Sequence, residues 1–306
     1  MTRLVLERRN LELEYITDCL LIRQPDHPPR SLPLRRIRQI ICMHNVKLTT
    51  QLIGQLHARG IDLVVLNQRY EQNSFALYAD QQKIVERRCQ QYIWQSQPHT
   101  RLPLAAFWIQ KKAEKSQAVA EVCQLPLDSH FFNQIIKQIQ QAPTEAQLRG
   151  MEGWLQRNFF EAWRSKIDPA LGFTQRVRRP PTDPVNAALS LAYTLVHQEA
   201  VRQCKAHGLD SQLGFFHRTC FGRHSLACDL MEPVRPRIEA WIFNLFAGSL
   251  LDKRYFRTSR TGCLLGKQGR EIFYELYEEQ WPGFTRQLRA AAYWLARIMD
   301  QEAHHA

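Results

Sequence analysis

One segment of the chain, from Gly214 to Pro233, concentrates the side chains that bind metal ions in proteins. Its sequence is GFFHRTCFGRHSLACDLMEP, with two histidines, two cysteines, an aspartate and a glutamate. One possible ligand set is rich in sulfur and nitrogen and would suit zinc: His217, Cys220, His224 and Cys228. The other is rich in oxygen and would suit a catalytic Mg²⁺ or Mn²⁺ ion: His217, Asp229 and Glu232. A third interpretation needs no metal, because the segment could be an ordinary helix with solvated acids.

The spacing favours the oxygen-rich set over zinc. Asp229 and Glu232 are three residues apart in a stretch with helical character, so their carboxylates share one helix face. Zinc sites usually pair two close ligands with two more, and only half of that pattern is present. The two cysteines fit better as small apolar packing residues of the helix and its loop. Taken alone, the segment still favours the ordinary helix, and the choice depends on the rest of the chain.

The elements that must position this segment change character near residue 81. Before it, stretches rich in Val, Ile, Leu and Tyr predict strands, with a turn at residues 25–29 and one short helix over residues 49–61. After it, apolar residues recur at helical spacing. The predicted fold class is therefore α+β, with a small N-terminal β-rich domain over residues 1–90 and a larger all-α catalytic domain over residues 91–306.

Two of the predicted helices matter most for the site. The first covers residues 144–167 and the second covers residues 183–208, where an Asp–Pro pair predicts the N-terminal cap and Gly208 predicts the end. Residues 176–184 (RVRRPPTDP) separate them, and the prolines exclude a helix there.

The charge of the chain favours a polyanionic partner. It has 41 Lys and Arg against 29 Asp and Glu, a net charge of +12, which favours nucleic acid ahead of an anionic membrane surface. Residues 164–180 and 251–270 are especially basic, and we expect both to be loops that contact DNA backbone, with a solvated surface as the alternative. The candidate DNA contacts are Arg176, Arg178, Arg179, Arg223, Arg254, Arg257, Arg260 and Lys267.

Other features bear on location. No apolar run reaches the roughly 18 residues that a membrane span needs. Residues 1–15 are too charged for the apolar core of a signal peptide. Eight scattered cysteines without a CxxC pair are typical of reduced thiols. We therefore expect a cytoplasmic protein that does not associate with membranes.

Three motifs favour the catalytic divalent ion over zinc and over an ordinary helix: GMEGWLQRNFFEAW, RRPPTDPVNAALSLAYTLV and GLDSQLGFFHRTCFGRHSLACDLMEPVRP. In this order and spacing they resemble the CRISPR adaptation integrase family, the universal first-numbered CRISPR-associated protein, which captures spacers. The resemblance extends to residues 31–67, which look like the β-domain of that family with its single helix. One departure is QRYEQN at residues 68–73, where the family often has a Gly-rich turn.

The resemblance implies roles for individual residues. Glu152, His217 and Glu232 match the ligands that hold a Mg²⁺ or Mn²⁺ ion in the family. Asp229 matches the nearby aspartate and is expected to be a fourth catalytic residue, as a ligand, an orienting group or a proton acceptor. Asn186 matches the helix asparagine of the family, and for it we favour a bracing role within the fold.

The resemblance also implies a reaction and an assembly. The family inserts captured double-stranded DNA into the CRISPR repeat by transesterification, in which a 3′-hydroxyl attacks a phosphodiester. Its members form homodimers through the β-domain, and a small second-numbered CRISPR-associated protein bridges two dimers. The alternatives are a stand-alone metal-dependent DNase or branched-DNA resolving enzyme, and a non-catalytic DNA-binding scaffold.

Overall fold

The computed structural model describes residues 2–67, 71–78, 85–259 and 262–303, and the chain divides into two units, Met1–Lys83 and Ile84–Ala306. The first unit is rich in strands and the second is mainly helical, which confirms the predicted α+β class. The boundary between the units lies at residues 83 and 84, a few residues before the predicted limit at residue 90, because the first helix of the second unit begins at Val85.

The described part of the first unit contains two four-stranded sheets. The elements in chain order are β1 (Thr2–Leu6), β2 (Leu11–Ile16), β3 (Cys19–Gln24), β4 (His27–Pro33), β5 (Ile37–Cys42), β6 (Val46–Leu48), α1 (Thr50–Ala58), β7 (Asp62–Val65) and β8 (Phe75–Leu77). One sheet has the order β1-β5-β7-β8 and the other has the order β4-β3-β2-β6. Strands β1, β5 and β7 run parallel, and β2, β3 and β4 run antiparallel. Leucines and isoleucines from both sheets and from α1 form one apolar core, among them Leu13, Ile40, Leu52 and Leu63.

The predicted strands and turn can be compared with the structure in this unit. Residues 11–24 form two strands, joined at Thr17 and Asp18, whose φ angles of 46° and 62° make a tight hairpin turn. The predicted turn at residues 25–29 is only partly right, since β4 already begins at His27. Prolines are tolerated there because β4 lies at the edge of its sheet and is exposed, so a missing N–H costs few ladder hydrogen bonds.

The second unit consists of helices and one hairpin in its described part. The elements are α2 (Val85–Ser96), α3 (Pro98–Val122), α4 (Ser129–Gln140), α5 (Glu145–Arg164), α6 (Pro184–Ala206), α7 (Ser225–Met231), α8 (Arg235–Ala247), β9 (Phe256–Ser259), β10 (Gly262–Leu265) and α9 (Lys267–Ala303). The predicted cap of α6 is confirmed, because the Asp183 carboxylate accepts a hydrogen bond from the Asn186 N–H. Gly208 follows the helix with a φ of 67°.

The two basic stretches meet in this unit. The prediction of a loop over residues 251–270 is wrong, because β9 and β10 pair as an antiparallel hairpin and α9 begins at Lys267. The N–H of Cys263 donates to the carbonyl of Pro181 at 2.8 Å, which joins the hairpin to the proline-rich loop. Gly262 has a φ of 119°, and a side chain there would collide with Pro180. Within the described residues, no helix is both long and apolar enough to cross a membrane.

Candidate active site

Helix α5 carries Glu152, the first of the predicted ligands. Thr144 caps the helix by accepting a hydrogen bond from the Gln147 N–H. Leu148 and Leu155 are buried on the face of α5 that packs on the unit, and Glu152 lies between them in sequence, with 24% of its side chain exposed. Its Oε1 accepts a hydrogen bond from the Lys112 ammonium of α3 at 2.5 Å. The carboxylate is therefore held at the edge of a pocket that solvent still reaches.

The loop before α7 places His217, and Asp229 from α7 holds that loop. Asp229 is fully buried, and each of its oxygens accepts two hydrogen bonds. Oδ2 accepts from the N–H groups of Phe215 and Phe216 at 2.6 and 3.1 Å. Oδ1 accepts from the N–H of His217 at 2.9 Å and contacts its Nδ1 at 2.7 Å. This pattern makes Asp229 an orienting group, because it fixes the tautomer of His217 and turns Nε2 toward Glu232, 3.7 Å from Oε1.

Gly214 makes the close approach of loop and helix possible. A Cβ at this position would stand 2.8 Å from the backbone carbon of Ser225 and 2.9 Å from Oδ2 of Asp229. These are closer than real Cβ contacts, so only glycine lets the loop reach the carboxylate.

Glu232 lies at the C-terminal end of α7 between two cations. It is 2% exposed, with Oε1 accepting from Arg235 Nε at 2.8 Å and Oε2 accepting from Lys112 Nζ at 2.8 Å. Burial alone would raise the pKa of Glu232, but the charges of Arg235, Lys112 and His217 outweigh it and hold the pKa well below the usual range. Glu232 is therefore ionised at neutral pH and available as an oxygen ligand.

Lys112 is the residue that the sequence analysis missed. Its side chain is 1% exposed, and its ammonium lies between Glu152 and Glu232. Burial would lower the pKa of Lys112, but the charges of the two carboxylates raise it above its ordinary value. A signal was present in the sequence, since Lys112 is one helical turn from Trp108 and from Ser116 on the buried stripe of α3, where lysine is rare unless paired.

The structure thus brings together the four residues predicted to be catalytic. Glu152 and Glu232 bond to the same ammonium, His217 faces Glu232, and Asp229 holds His217. Two carboxylates and an imidazole nitrogen are suitable donors for Mg²⁺ or Mn²⁺, and the two carboxylates already bond to a buried positive charge. In the described residues, no three His, Cys, Asp or Glu side chains stand in a ready metal-binding geometry, because Lys112 separates the two glutamates.

The four candidate zinc ligands do not come together in the described part of the chain. Cys220 is exposed, so the prediction that it packs against apolar residues is wrong. His224 instead contacts Ser211 Oγ through Nδ1 at 2.8 Å, and burial lowers the pKa of His224 to about 4. Cys228 is half-buried on α7, as a packing cysteine would be.

Asn186 braces the start of α6, as predicted. It is fully buried, and its amide nitrogen donates to the Gln175 carbonyl and to Asp183. Its oxygen accepts from the Val177 N–H at 3.0 Å and from Arg176 at 2.9 Å. Arg176 also donates to Val177 and Ser190, so its guanidinium is committed to the fold rather than presented to a partner.

All the other candidate DNA contacts that the structure describes lie on the surface. Arg178, Arg179, Arg223, Arg257 and Lys267 are exposed. Arg254 is also exposed but pairs with Asp252 at 2.7 Å, and Arg260 lies outside the described residues. The loop after His217 adds two features that were not predicted to contact DNA, an exposed Arg218 and a fully exposed Phe221.

A family model and a curated relative point to one family, and two solved structures share the fold. The family model for "CRISPR associated protein Cas1" matches residues 4–279. A CRISPR-associated endonuclease Cas1 of Thermodesulfovibrio yellowstonii is 32% identical over 92% of this chain and 91% of its own length. A solved Cas1 protein from Thermotoga maritima shares the fold with a TM-score of 0.89 at 16% identity, over 97% of each chain. A casposase bound to its integration product also shares the fold, with a TM-score of 0.84 at 19% identity over 97% of this chain and 91% of that one.

Proposed function

The chain belongs to the Cas1 family of CRISPR-associated proteins, and from that premise we propose that it is a metal-dependent DNA endonuclease and integrase. It inserts captured DNA fragments into a CRISPR array. The observation that supports this most strongly is that Glu152 and Glu232, from separate helices, bond to one buried cation, while His217 faces Glu232.

In this proposal Glu152, His217 and Glu232 hold a Mg²⁺ or Mn²⁺ ion, and Asp229 positions His217. When bound, a divalent ion neutralises charge on the phosphate oxygens and lowers the pKa of the attacking hydroxyl. The protein contributes fixed geometry, because the four hydrogen bonds on Asp229 leave His217 a single orientation. Arg235 keeps Glu232 ionised and in place.

The reaction is a phosphoryl transfer without net hydrolysis. The 3′-oxygen of the incoming strand attacks the phosphorus at the repeat boundary, and the bond from phosphorus to the leaving 3′-oxygen breaks. The attacking hydroxyl loses a proton and the leaving oxygen gains one, so one phosphodiester replaces another. In-line positioning is the main demand of such a transfer, and a site built from packed helices can supply it.

The exposed basic side chains give this chemistry a DNA-binding surface. The loop with Arg178 and Arg179 and the hairpin with Arg257 are joined through the hydrogen bond between Cys263 and Pro181. Arg218 and Arg223 flank Phe221 in the loop next to His217, so charge for phosphates and an aromatic ring for a base lie close to the site. Binding should weaken steeply as salt rises, and a flat salt dependence would argue against a backbone-contacting surface.

The assembly and location are part of the same proposal. We expect a homodimer formed through the first unit and two dimers bridged by the small second-numbered CRISPR-associated protein, which would place two sites for the two insertions. The protein would work in the cytoplasm, where its DNA substrates are.

The test is strand transfer by purified variants with a labelled DNA fragment and a repeat-containing plasmid. Glu152→Ala, His217→Ala and Glu232→Ala should abolish transfer while the protein still binds DNA. Glu161→Ala is a matched control, because Glu161 lies on the same helix with a side chain 65% exposed. Normal integration by Glu152→Ala would refute the assignment. Running the assay with and without the small partner separates an integrase from a stand-alone DNase or resolving enzyme.

A further inference from the structure

We propose that Lys112 is a resident cation that a divalent metal ion displaces from the site, and that Glu239 is the carboxylate that receives the displaced ammonium. The inference rests on the proposed function, because it concerns the metal that this reaction requires. It makes metal binding an exchange of one cation for another.

The position of Lys112 supports displacement. Its Nζ is 2.5 Å from Oε1 of Glu152 and 2.8 Å from Oε2 of Glu232, and the side chain is 1% exposed. A metal ion bound to the same two oxygens would lie about 2.1 Å from each, in the space that the ammonium fills. Both cations cannot share that space, so a metal that bridges Glu152 and Glu232 requires Lys112 to move.

The charge of the site points the same way. Asp229, Glu152 and Glu232 supply three negative charges, and Lys112 and Arg235 supply two positive ones. A divalent ion in place of Lys112 would balance the three carboxylates together with Arg235. An ionised Glu239 would supply a fourth negative charge, and the displaced Lys112 would pair with it.

Glu239 on α8 supplies a second partner for the ammonium. It is fully buried on a helix that packs against α3, and burial raises the pKa of its carboxyl group while the charge of Lys112 lowers it. Its Oε1 accepts hydrogen bonds from Gln156 and Tyr193, while its Oε2 is buried and has no hydrogen-bond partner among the described residues. A buried carboxylate oxygen without a donor is unfavourable by itself, and the ammonium of Lys112 would satisfy it.

This arrangement has two consequences for the protein. Without metal, Lys112 holds the mutually repelling carboxylates together, so the site stays assembled. With metal, part of the binding free energy is spent on moving Lys112, so the ion is bound more weakly than by the carboxylates alone.

The experiment is a Mn²⁺ titration of the full chain, followed by the EPR signal of free Mn²⁺, together with thermal unfolding with and without Mn²⁺. Lys112→Met should bind Mn²⁺ roughly tenfold more tightly or better, because one positive charge is removed from the ion's position. Metal-free Lys112→Met should unfold at a lower temperature than the wild type. Mn²⁺ should raise the unfolding midpoint of Lys112→Met by more than it raises that of the wild type. Lys111→Met is the matched control, since the neighbouring lysine is 40% exposed and pairs with Glu114.

Glu239→Gln tests the receiving carboxylate separately. Its amide can keep the contacts to Gln156 and Tyr193 but offers the displaced ammonium no charge, so Mn²⁺ binding should weaken severalfold. Equal or weaker Mn²⁺ binding by Lys112→Met would overturn displacement, and unchanged binding by Glu239→Gln would overturn the receiving role. If Lys112→Met does not fold, the Glu239→Gln titration tests both parts: weaker Mn²⁺ binding supports displacement, because this carboxylate matters only if the ammonium moves, and unchanged binding overturns the proposal.

Failure of the proposed function would look different. Glu152→Gln would then bind Mn²⁺ as the wild type does, which would show that the ion binds elsewhere, whatever Lys112 does.

Discussion

The most informative substitution is Asp229→Asn, because it keeps the shape of the side chain and changes only its hydrogen-bonding. The carboxylate accepts four hydrogen bonds, two on each oxygen. An asparagine must turn its NH₂ group toward one of those pairs. Facing Phe215 and Phe216 it loses two hydrogen bonds; facing His217 it loses the bond from the backbone N–H and can donate to Nδ1 only if the imidazole changes tautomer. At least one hydrogen bond is lost in either orientation. Each hydrogen bond to a charged group contributes about 1.5–3 kcal/mol, so the expected loss is at least about 1.5–3 kcal/mol.

Thermal unfolding measures this loss directly. For a unit of this size, each kcal/mol corresponds to roughly 2–4 °C, so the unfolding midpoint of the helical unit should fall by about 3–12 °C. Strand transfer should also be lost, because His217 is no longer held with Nε2 toward Glu232. The control is Asp128→Asn, an exposed cap of α4 where asparagine serves as well as aspartate, and we expect a change below about 0.5 kcal/mol. An Asp229→Asn protein that melts with the wild type but has lost activity would refute the bracing role and favour a direct ligand.

Three further predictions concern the same unit. Gly214→Ala should lower the unfolding midpoint and strand transfer together, since its Cβ would collide with Asp229 and α7; an unchanged midpoint would show that the loop can move aside. Asn186→Ala should destabilise the unit by about 3 kcal/mol in a urea titration, because four buried side-chain hydrogen bonds are lost, and a shift within error would contradict its bracing role. Burial lowers the pKa of His197 and that of His224 to about 4, below the ordinary value of 6.5, so between these pH values the unfolded chain binds protons that the folded chain does not. Stability should therefore fall as pH drops from about 6.5 to 4, by up to about 1.4 kcal/mol per pH unit for each histidine, and His197→Gln should flatten that slope in midpoints recorded across the range.

Local patterns predicted the parts of the fold that depend on local physics. The Asp–Pro pair before α6 predicted its cap because a carboxylate at that position satisfies an otherwise unpaired N–H. The spacing of apolar residues around Asp229 and Glu232 predicted α7, since helix periodicity is visible within two turns. The position of β4 at a sheet edge could not be predicted from local patterns. Pro28 and Pro29 can end a strand or lie within one, and the outcome depends on which strands lie beside them.

The site was harder to predict because its parts are far apart in sequence. Lys112 is 40 residues from Glu152 and 120 from Glu232, and only the packing of α3 against α5 and α7 brings its ammonium to both. The role of Asp229 depends on backbone N–H groups, which every residue except proline has and no sequence pattern marks. Cys220 was misjudged because its neighbours suggested packing, whereas the loop turns it to solvent.

The proline-bearing strand β4 has a consequence for how the protein behaves at high concentration. An exposed sheet edge offers unpaired N–H and C=O groups that can recruit a strand from another molecule, and this is a common route to aggregation. Pro28, Pro29 and Pro33 have no N–H to offer, and Arg30 places a charge on the same edge. The β4 edge is therefore a poor template for a foreign strand, which protects newly made chains from indiscriminate self-association.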